Sequence, residues 1–596
     1  MPFLRMKPDF IKAAAAGLFL GPLAVWAAGM NGLAFGGVGW ALALAGIAAL
    51  PAPAARRAGR EFLDEAKRLF AGSGATALIP IILGGAAAFS LLLSLVPPTA
   101  YESVSADLVL PQQYSFAHKV YAMPQFIPSL LPFTARAGYL WCFLLGGDWA
   151  GPSILNWAHA LLACFLIARI GARAGLPTAA STGAAAVWMA SPLVLEVSST
   201  PLSYVQMSLY VLLALLALPG RGARGAVMAG LWAGAAATSR WGGWLVAPAA
   251  AAFLLVRPRE AGRLRGVLVP AAVSLVPLAP LMAWNYLSAG GPFAPFFPAS
   301  EQSTKLAAWF SDLYSFEKSI LGVLVYPIQA AFPAAKFSQV DSSQAGGLLL
   351  GLYIVPFAFG FGRKWIAGNL AWPAFSALII YAAYFIFDWP LAATPVVLGV
   401  CALLLTGAAG RLGKAGVPAA VAGLVLLGAF QSGYLANRAA EFVRAGGNTE
   451  AYLEAASEEF WPYPALKYIR ENVPADSRIL AVFESRIFYT QRRAVPALMQ
   501  DRSALEIVLE ESATARDVGK RFFQLGIGYV LVAEDINIKH LDQYIRCVKD
   551  REIQLLAAVL KANADLLYAD PHGHCKVAGI GDYRRARGIP RAGPRG

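Results

Sequence analysis

The chain is patterned as a succession of apolar runs almost free of charge, separated by short loops rich in arginine and lysine. About 20 apolar residues in a helix cross the hydrocarbon core of a bilayer. Runs of that kind fall at 13–28, 33–50, 76–96, 153–170, 178–195, 202–218, 226–238, 244–256, 267–286, 346–361, 366–387, 391–407 and 417–435. They predict a polytopic α-helical membrane protein with about thirteen transmembrane helices. Arg5, Lys7 and Lys12 precede the first run as in a signal peptide, but the second follows at once, which reads as an uncleaved helical hairpin.

The basic residues orient these spans. With sides alternating, Arg56, Arg57, Arg60, Lys67 and Arg68 form an inner loop, and the pairs Arg169/Arg173, Arg221/Arg224, Arg363/Lys364 and Arg411/Lys414 fall on the same side. The run Arg257, Arg259, Arg263, Arg265 joins them. Cytoplasmic loops retain such residues, so the N-terminus is cytoplasmic and everything after Asn437 lies outside. The segments 97–151 and 289–344 are then outer loops. Within the first, 123–146 is apolar, but it contains Pro124, Pro128, Pro132 and Arg136, and a crossing there would invert every later basic loop. It is expected as an interfacial helix on the outer leaflet, with Tyr139 and Trp141 at the headgroups.

Beyond Asn437 charges are spread throughout, and β-like runs at 478–483, 529–533 and 575–580 alternate with helical patterns at 465–472, stopped before Pro474, and 513–525, stopped by Gly526. Such alternation implies a soluble α/β domain. The domains are thus an N-terminal hairpin and inner loop (1–74), a transmembrane domain (75–436), an outer α/β domain (437–583) and a tail (584–596). The tail, with five arginines among Gly and Pro, is expected to be disordered, either simply solvated or touching anionic lipid.

Composition sharpens this picture. Of 596 residues, 58% are hydrophobic and 14% charged, which excludes a cytosolic enzyme. The net charge of +14 would raise nucleic acid as a partner, but the placement of the 49 Lys and Arg serves topology instead. Five cysteines without CxxC or Cys/His zinc spacing make neither a disulfide framework nor a metal site. Cys547 and Cys575 either join in an oxidising compartment or remain thiols. His572 and His574 beside Asp570 lack further ligands at a metal-binding spacing. His159 inside a span reads as a packing histidine rather than a transport site.

Chemistry at the outer face needs polar groups where loops meet helix ends, and four places qualify. Tyr101, Glu102 and Asp107 follow the third run; a carboxylate here is either a general base or a helix cap. Glu196, Tyr204 and Gln206 flank an outer hairpin, where Tyr204 serves either a cleft or an interfacial belt. Arg240 stands at a helix end with no partner nearby in sequence, and either binds an anion or snorkels. Asn285 and Tyr286 close a span before a Gly/Pro/aromatic turn.

Taken in order, these elements resemble the GT-C superfamily of membrane glycosyltransferases, which includes protein O-mannosyltransferases and bacterial aminoarabinose transferases. The resemblance rests on LVLPQQY (108–114), the SPL…YVQ stretch (191–206), GLWAGAAATSRW (230–241), WNYLSAGGPFAPF (284–296) and YPALKYIRENVPADSRIL (463–480). There are departures: Glu102 replaces the usual early aspartate, Asp107 the histidine, Gln206 the aspartate of YVD, Arg240 the lysine and Trp284 an arginine. The resemblance implies inverting transfer of a sugar from a polyprenyl-phosphate-type donor to an acceptor on the periplasmic face of a bacterial inner membrane. Asp107 or Glu102 would take the acceptor's proton and Arg240 would hold the phosphate. Tyr204, Gln206, Glu196, Asn285 and Tyr286 would line the substrate cleft. The lipid-linked donor, membrane lipids and an acceptor are the partners implied, with no metal, cofactor or nucleic acid. A noncatalytic GT-C-fold scaffold is the alternative that the departures leave open.

Overall fold

The computed structural model describes residues 9–49, 53–71, 74–123, 126–217, 223–248, 263–293, 390–413, 415–458, 460–482, 484–495, 512, 514–533, 550–570 and 574–581. The expected spans 346–361 and 366–387, most of the segment 289–344, the tail, Cys547 and His572 lie outside these residues.

Helices α1 (Asp9–Met30) and α2 (Gly36–Ala49) form the N-terminal hairpin. With 14 residues, α2 is shorter than a straight crossing requires. The basic stretch that follows is not a loop but a third helix, α3 (Pro53–Phe70). Proline opens it, where its missing N–H costs nothing, and Arg57 pairs with Glu61 one turn away at 3.0 Å. Its inward side sets Phe62 against Phe165, ring centroids 4.6 Å apart, and Glu65 near Arg169 at 3.8 Å.

The helical body continues with α4 (Leu78–Leu93), α5 (Val109–Ala117), α6 (Thr134–Leu144), α7 (Ala150–Arg173), α8 (Thr178–Met189), α9 (Pro192–Ser199), α10 (Tyr204–Ala217) and α11 (Ala223–Ser239). After α12 (Arg263–Ala289) come α13 (Pro390–Ala409), α14 (Gly416–Gln431) and α15 (Gly433–Arg444). Among the described residues four helices are long and apolar enough to cross a membrane, or up to six if each bent pair is one span. The bent pairs are α8 with α9, at 65°, and α14 with α15, at 61°, where the sequence predicts straight spans. Pro192 accounts for the first bend, because the residue before a proline is driven out of the helical region. The expected span 244–256 begins instead as a 3₁₀ turn over Trp241–Leu245. Helix α10 is buried on all sides, and α11 packs on α12 through Gly230 and Gly234; a Cβ at either would collide with the carbonyl of Pro270 or Ser274. Small residues four apart allow such close approach.

Helix α6 departs from the interfacial helix that the sequence predicts. Tyr139 is buried and donates its hydroxyl to Asn156 Oδ1 at 2.9 Å, and the half-buried Trp141 donates to Gly39 O at 3.0 Å. The N-terminal hairpin covers this helix, and periodicity within 123–146 carries no trace of that cover.

The C-terminal domain contains α16 (Thr449–Ala455), α17 (Tyr463–Asn472), β1 (Arg478–Val482), β2 (Arg493–Val495), α18 (Ala515–Gln524), β3 (Ile527–Ala533), α19 (Asp550–Asn563), β4 (Ala564–Ala569) and β5 (Cys575–Ile580). The five-stranded sheet has the order β2-β1-β3-β5-β4, with β1 parallel to both neighbours and β5 antiparallel to both of its own. Alternating residues cover both faces: Ile479, Ala481 and Leu531 pack towards α17, whereas Leu480, Val482 and Val530 meet Val518 and Phe522 of α18 and Val559 of α19. Thr514 and Asp517 close a capping box at the start of α18. Strands β2 and β4 are absent from the sequence reading; β2 is three residues long, and β4 exposes Leu566.

Candidate functional site

The two carboxylates singled out in the sequence lie on one unusual turn. After α4 the chain passes Pro97 and Pro98 and winds a π turn over Ser103–Asp107, in which Leu108 N–H reaches Ser103 O at 2.9 Å, before α5 begins. In an α-helix residues five apart diverge by about 140° around the axis. The wider i→i+5 winding sets them one above the other, and Asp107 accordingly feels the charge of Glu102.

Glu102 and Arg240 come together from residues far apart in sequence. Arg240 Nη2 donates to Glu102 Oε1 at 2.7 Å and to the Tyr204 hydroxyl at 2.7 Å, and Nη1 donates to Ser203 Oγ at 3.0 Å. Tyr204 in turn donates to Glu102 Oε2 at 2.9 Å, and the guanidinium lies over its ring, 3.6 Å from the centroid. The arginine therefore does not snorkel; it is enclosed, with 9% of its side chain exposed against 37% for Glu102.

Asp107 has a different setting. Arg136 Nε donates to its Oδ1 at 2.9 Å, and Nη1 of the same arginine bonds the Pro128 carbonyl. Oδ2 is buried and has no hydrogen-bond partner among the described residues. Burial pushes the Asp107 carboxyl above the ordinary aspartate range, with Arg136 and Arg240 pulling against it and Glu102 adding to it. The loop that supplies Pro128 O is braced in turn: Ser129 Oγ bonds both Met123 N and Met123 O, and Trp284 Nε1 donates to Ser129 O at 3.2 Å. Trp284 also meets Trp26, which stacks on Phe133. The residue that departs from the family pattern is thus part of the wall behind Arg136.

The remaining sequence candidates do not all converge here. Glu196 accepts from the Tyr434 hydroxyl at 2.6 Å and faces Arg438, a separate polar knot between the two helix bends. Gln206, two residues beyond Tyr204, faces another side of α10 and is buried inside the bundle, its Oε1 without a hydrogen-bond partner among the described residues. Asn285 is buried, but Tyr286 is 61% exposed and turns away. Among the described residues no group of three His, Cys, Asp or Glu side chains is placed to hold a metal ion, and His574 packs against Trp461. His159 donates to Leu155 O at 2.7 Å within its own helix.

Sequence reasoning missed Ser203 and Arg136, the latter noted only as a charge unsuited to a span. It also missed the clamp that the C-terminal domain places on the carboxylate-bearing segment. Tyr489 donates to Pro98 O at 2.8 Å, Ser485 Oγ bonds the Tyr101 hydroxyl at 2.8 Å, and Arg493 donates to Phe116 O at 2.9 Å. Gln113 acts as an extra strand residue: its amide donates to Arg492 O, just before β2, at 3.0 Å and accepts from Ala494 N, on the edge of β2 away from β1, at 2.8 Å. Val104, Leu108 and Val109 enter the same apolar core as Leu466, Ile469 and Tyr489.

No family model matches the sequence, and no curated protein does so either. Solved structures do. ArnT from Cupriavidus metallidurans bound to undecaprenyl phosphate is similar at a TM-score of 0.53 and 12% identity, over 88% of this chain and 100% of that one. The archaeal oligosaccharyltransferase AglB from Archaeoglobus fulgidus, in complex with an inhibitory peptide and a dolichol-phosphate, aligns over 84% of this chain and 74% of that one, at 14% identity and a TM-score of 0.46. The fold is therefore similar to that of ArnT from Cupriavidus metallidurans, in a largely helical chain with a small sheet domain and, among the described residues, at least four helices long and apolar enough to cross a membrane.

Proposed function

We propose that the chain is an inverting membrane glycosyltransferase, moving a sugar from a polyprenyl-phosphate-type donor to an acceptor at the periplasmic face of a bacterial inner membrane. The observation that carries this reading is the convergence of an enclosed guanidinium, Arg240, and a buried carboxylate with one oxygen, Asp107 Oδ2, unpartnered among the described residues, around a single π turn. Arg240 holds the donor phosphate with Ser203 and Tyr204 and offsets the charge that grows on it as the glycosidic C–O bond breaks. Asp107 Oδ2 takes the proton of the attacking hydroxyl on the opposite face of the sugar. Asp107 is the better base of the two, because Glu102 is engaged on both oxygens by Arg240 and Tyr204. The lipid-linked sugar is the donor, and no cofactor takes part.

Mass spectrometry of surface glycolipids and glycoproteins tests the reading in cells carrying the wild-type chain, Asp107→Asn, or no chain. One added sugar mass with the wild type alone is the expected result. Identical spectra from all three, with the protein present in the membrane, would favour the noncatalytic scaffold, for which the internal pairing of both arginines is the supporting observation.

A further inference from the structure

The proposed phosphate seat is already filled by a carboxylate of the chain itself. Arg240 spends Nη2 on Glu102 and Tyr204 and Nη1 on Ser203, and Asp107 lies near enough to feel it while being matched by Arg136. Among the described residues two carboxylates face two guanidiniums here, so a phosphate that enters has to compete with a carboxylate for its guanidinium. Glu102 is the member free to yield, since it is far more exposed than Arg240 and sits at the start of the π turn rather than within the core. Displaced from Arg240, it remains tethered beside the seat and repels whatever occupies it. A phosphodiester carries one negative charge, whereas a phosphomonoester carries about 1.5 to 2 near neutral pH. In a site shielded from water the additional charge is penalised more strongly than in solution.

We propose that Glu102 is a specificity-determining residue that admits a monoanionic phosphodiester, as in a lipid with a single phosphate joined to its sugar, and weakens the hold on the dianionic lipid phosphate left after transfer. It disfavours diphosphate-linked donors for the same reason. This inference rests on the reading of Arg240 as the phosphate seat.

Titration calorimetry on the full detergent-solubilised chain, with farnesyl methyl phosphate as the diester and farnesyl phosphate as the monoester, tests it. The wild-type chain should bind the diester about tenfold more tightly, and Glu102→Gln should bring the two within about threefold by tightening the monoester. A wild-type chain that binds the monoester as tightly as the diester overturns the proposal without any variant. So does an unchanged preference in Glu102→Gln. Arg240→Gln separates this failure from that of the seat: loss of both ligands keeps the seat on Arg240, whereas wild-type affinity for both removes it, and the proposal with it.

Discussion

At the scale of single residues, the two carboxylates differ in kind. Asp107 has one oxygen tied to Arg136 and the other buried with no hydrogen-bond partner among the described residues, whereas both oxygens of Glu102 are engaged. Asp107→Asn should lower transfer about 10²–10⁴-fold, measured as sugar incorporation per mole of folded protein. The pH dependence follows from the same environment. A base works only when deprotonated, so activity falls as pH drops through the Asp107 pKa, which burial has raised above 3.8. Arg136 pulls that value down; removing its charge lets it rise further. Arg136→Gln should therefore move the acid limb of the rate profile to higher pH, with Arg136→Lys returning it part of the way. A limb that stays in place would mean that another group limits the rate.

Among the helices, contact distance decides what is tolerated. The α11–α12 pair is held at glycine distance by Gly230 and Gly234, beside the end of α11 that carries Arg240. Gly234→Val has to push α12 away, an overpacking cost of about 1–3 kcal/mol. Thermal unfolding in detergent should show a lowered Tm, together with weakened donor binding as Arg240 shifts. The π turn belongs to this scale as well. It adds one residue to a helical turn, and with it the relative direction of Glu102 and Asp107, a property that neither residue has alone.

For the whole molecule, the C-terminal domain packs on the segment that carries Glu102 and Asp107. Its sheet edge, Tyr489 and Ser485 grip the 98–117 segment, and the two parts share an apolar core. Gln113→Leu leaves the buried Ala494 N–H without its acceptor, at a cost of about 1–3 kcal/mol, and frees the edge of β2. Faster amide exchange at Ala494 and its neighbours, along with a lower kcat at unchanged donor affinity, is the expected outcome. Unaltered exchange would show that the apolar contacts hold the segment without this residue.

The sequence by itself determined the membrane class, the helical body and three of the five strands of the C-terminal sheet, because these follow from local hydrophobic period and from charges that bilayers exclude. Glu102, Asp107, Arg240 and Tyr204 were legible for the same reason, as polar groups at helix ends. Only the tertiary structure decided their pairing. Arg136 to Asp107 and Arg240 to Glu102 span 29 and 138 residues, and no local signal encodes a contact across such a distance. The same applies to Trp141, whose indole bonds a hairpin residue about a hundred positions away in sequence, and to β2, which at three residues is a strand only because β1 lies beside it and Gln113 closes its other edge.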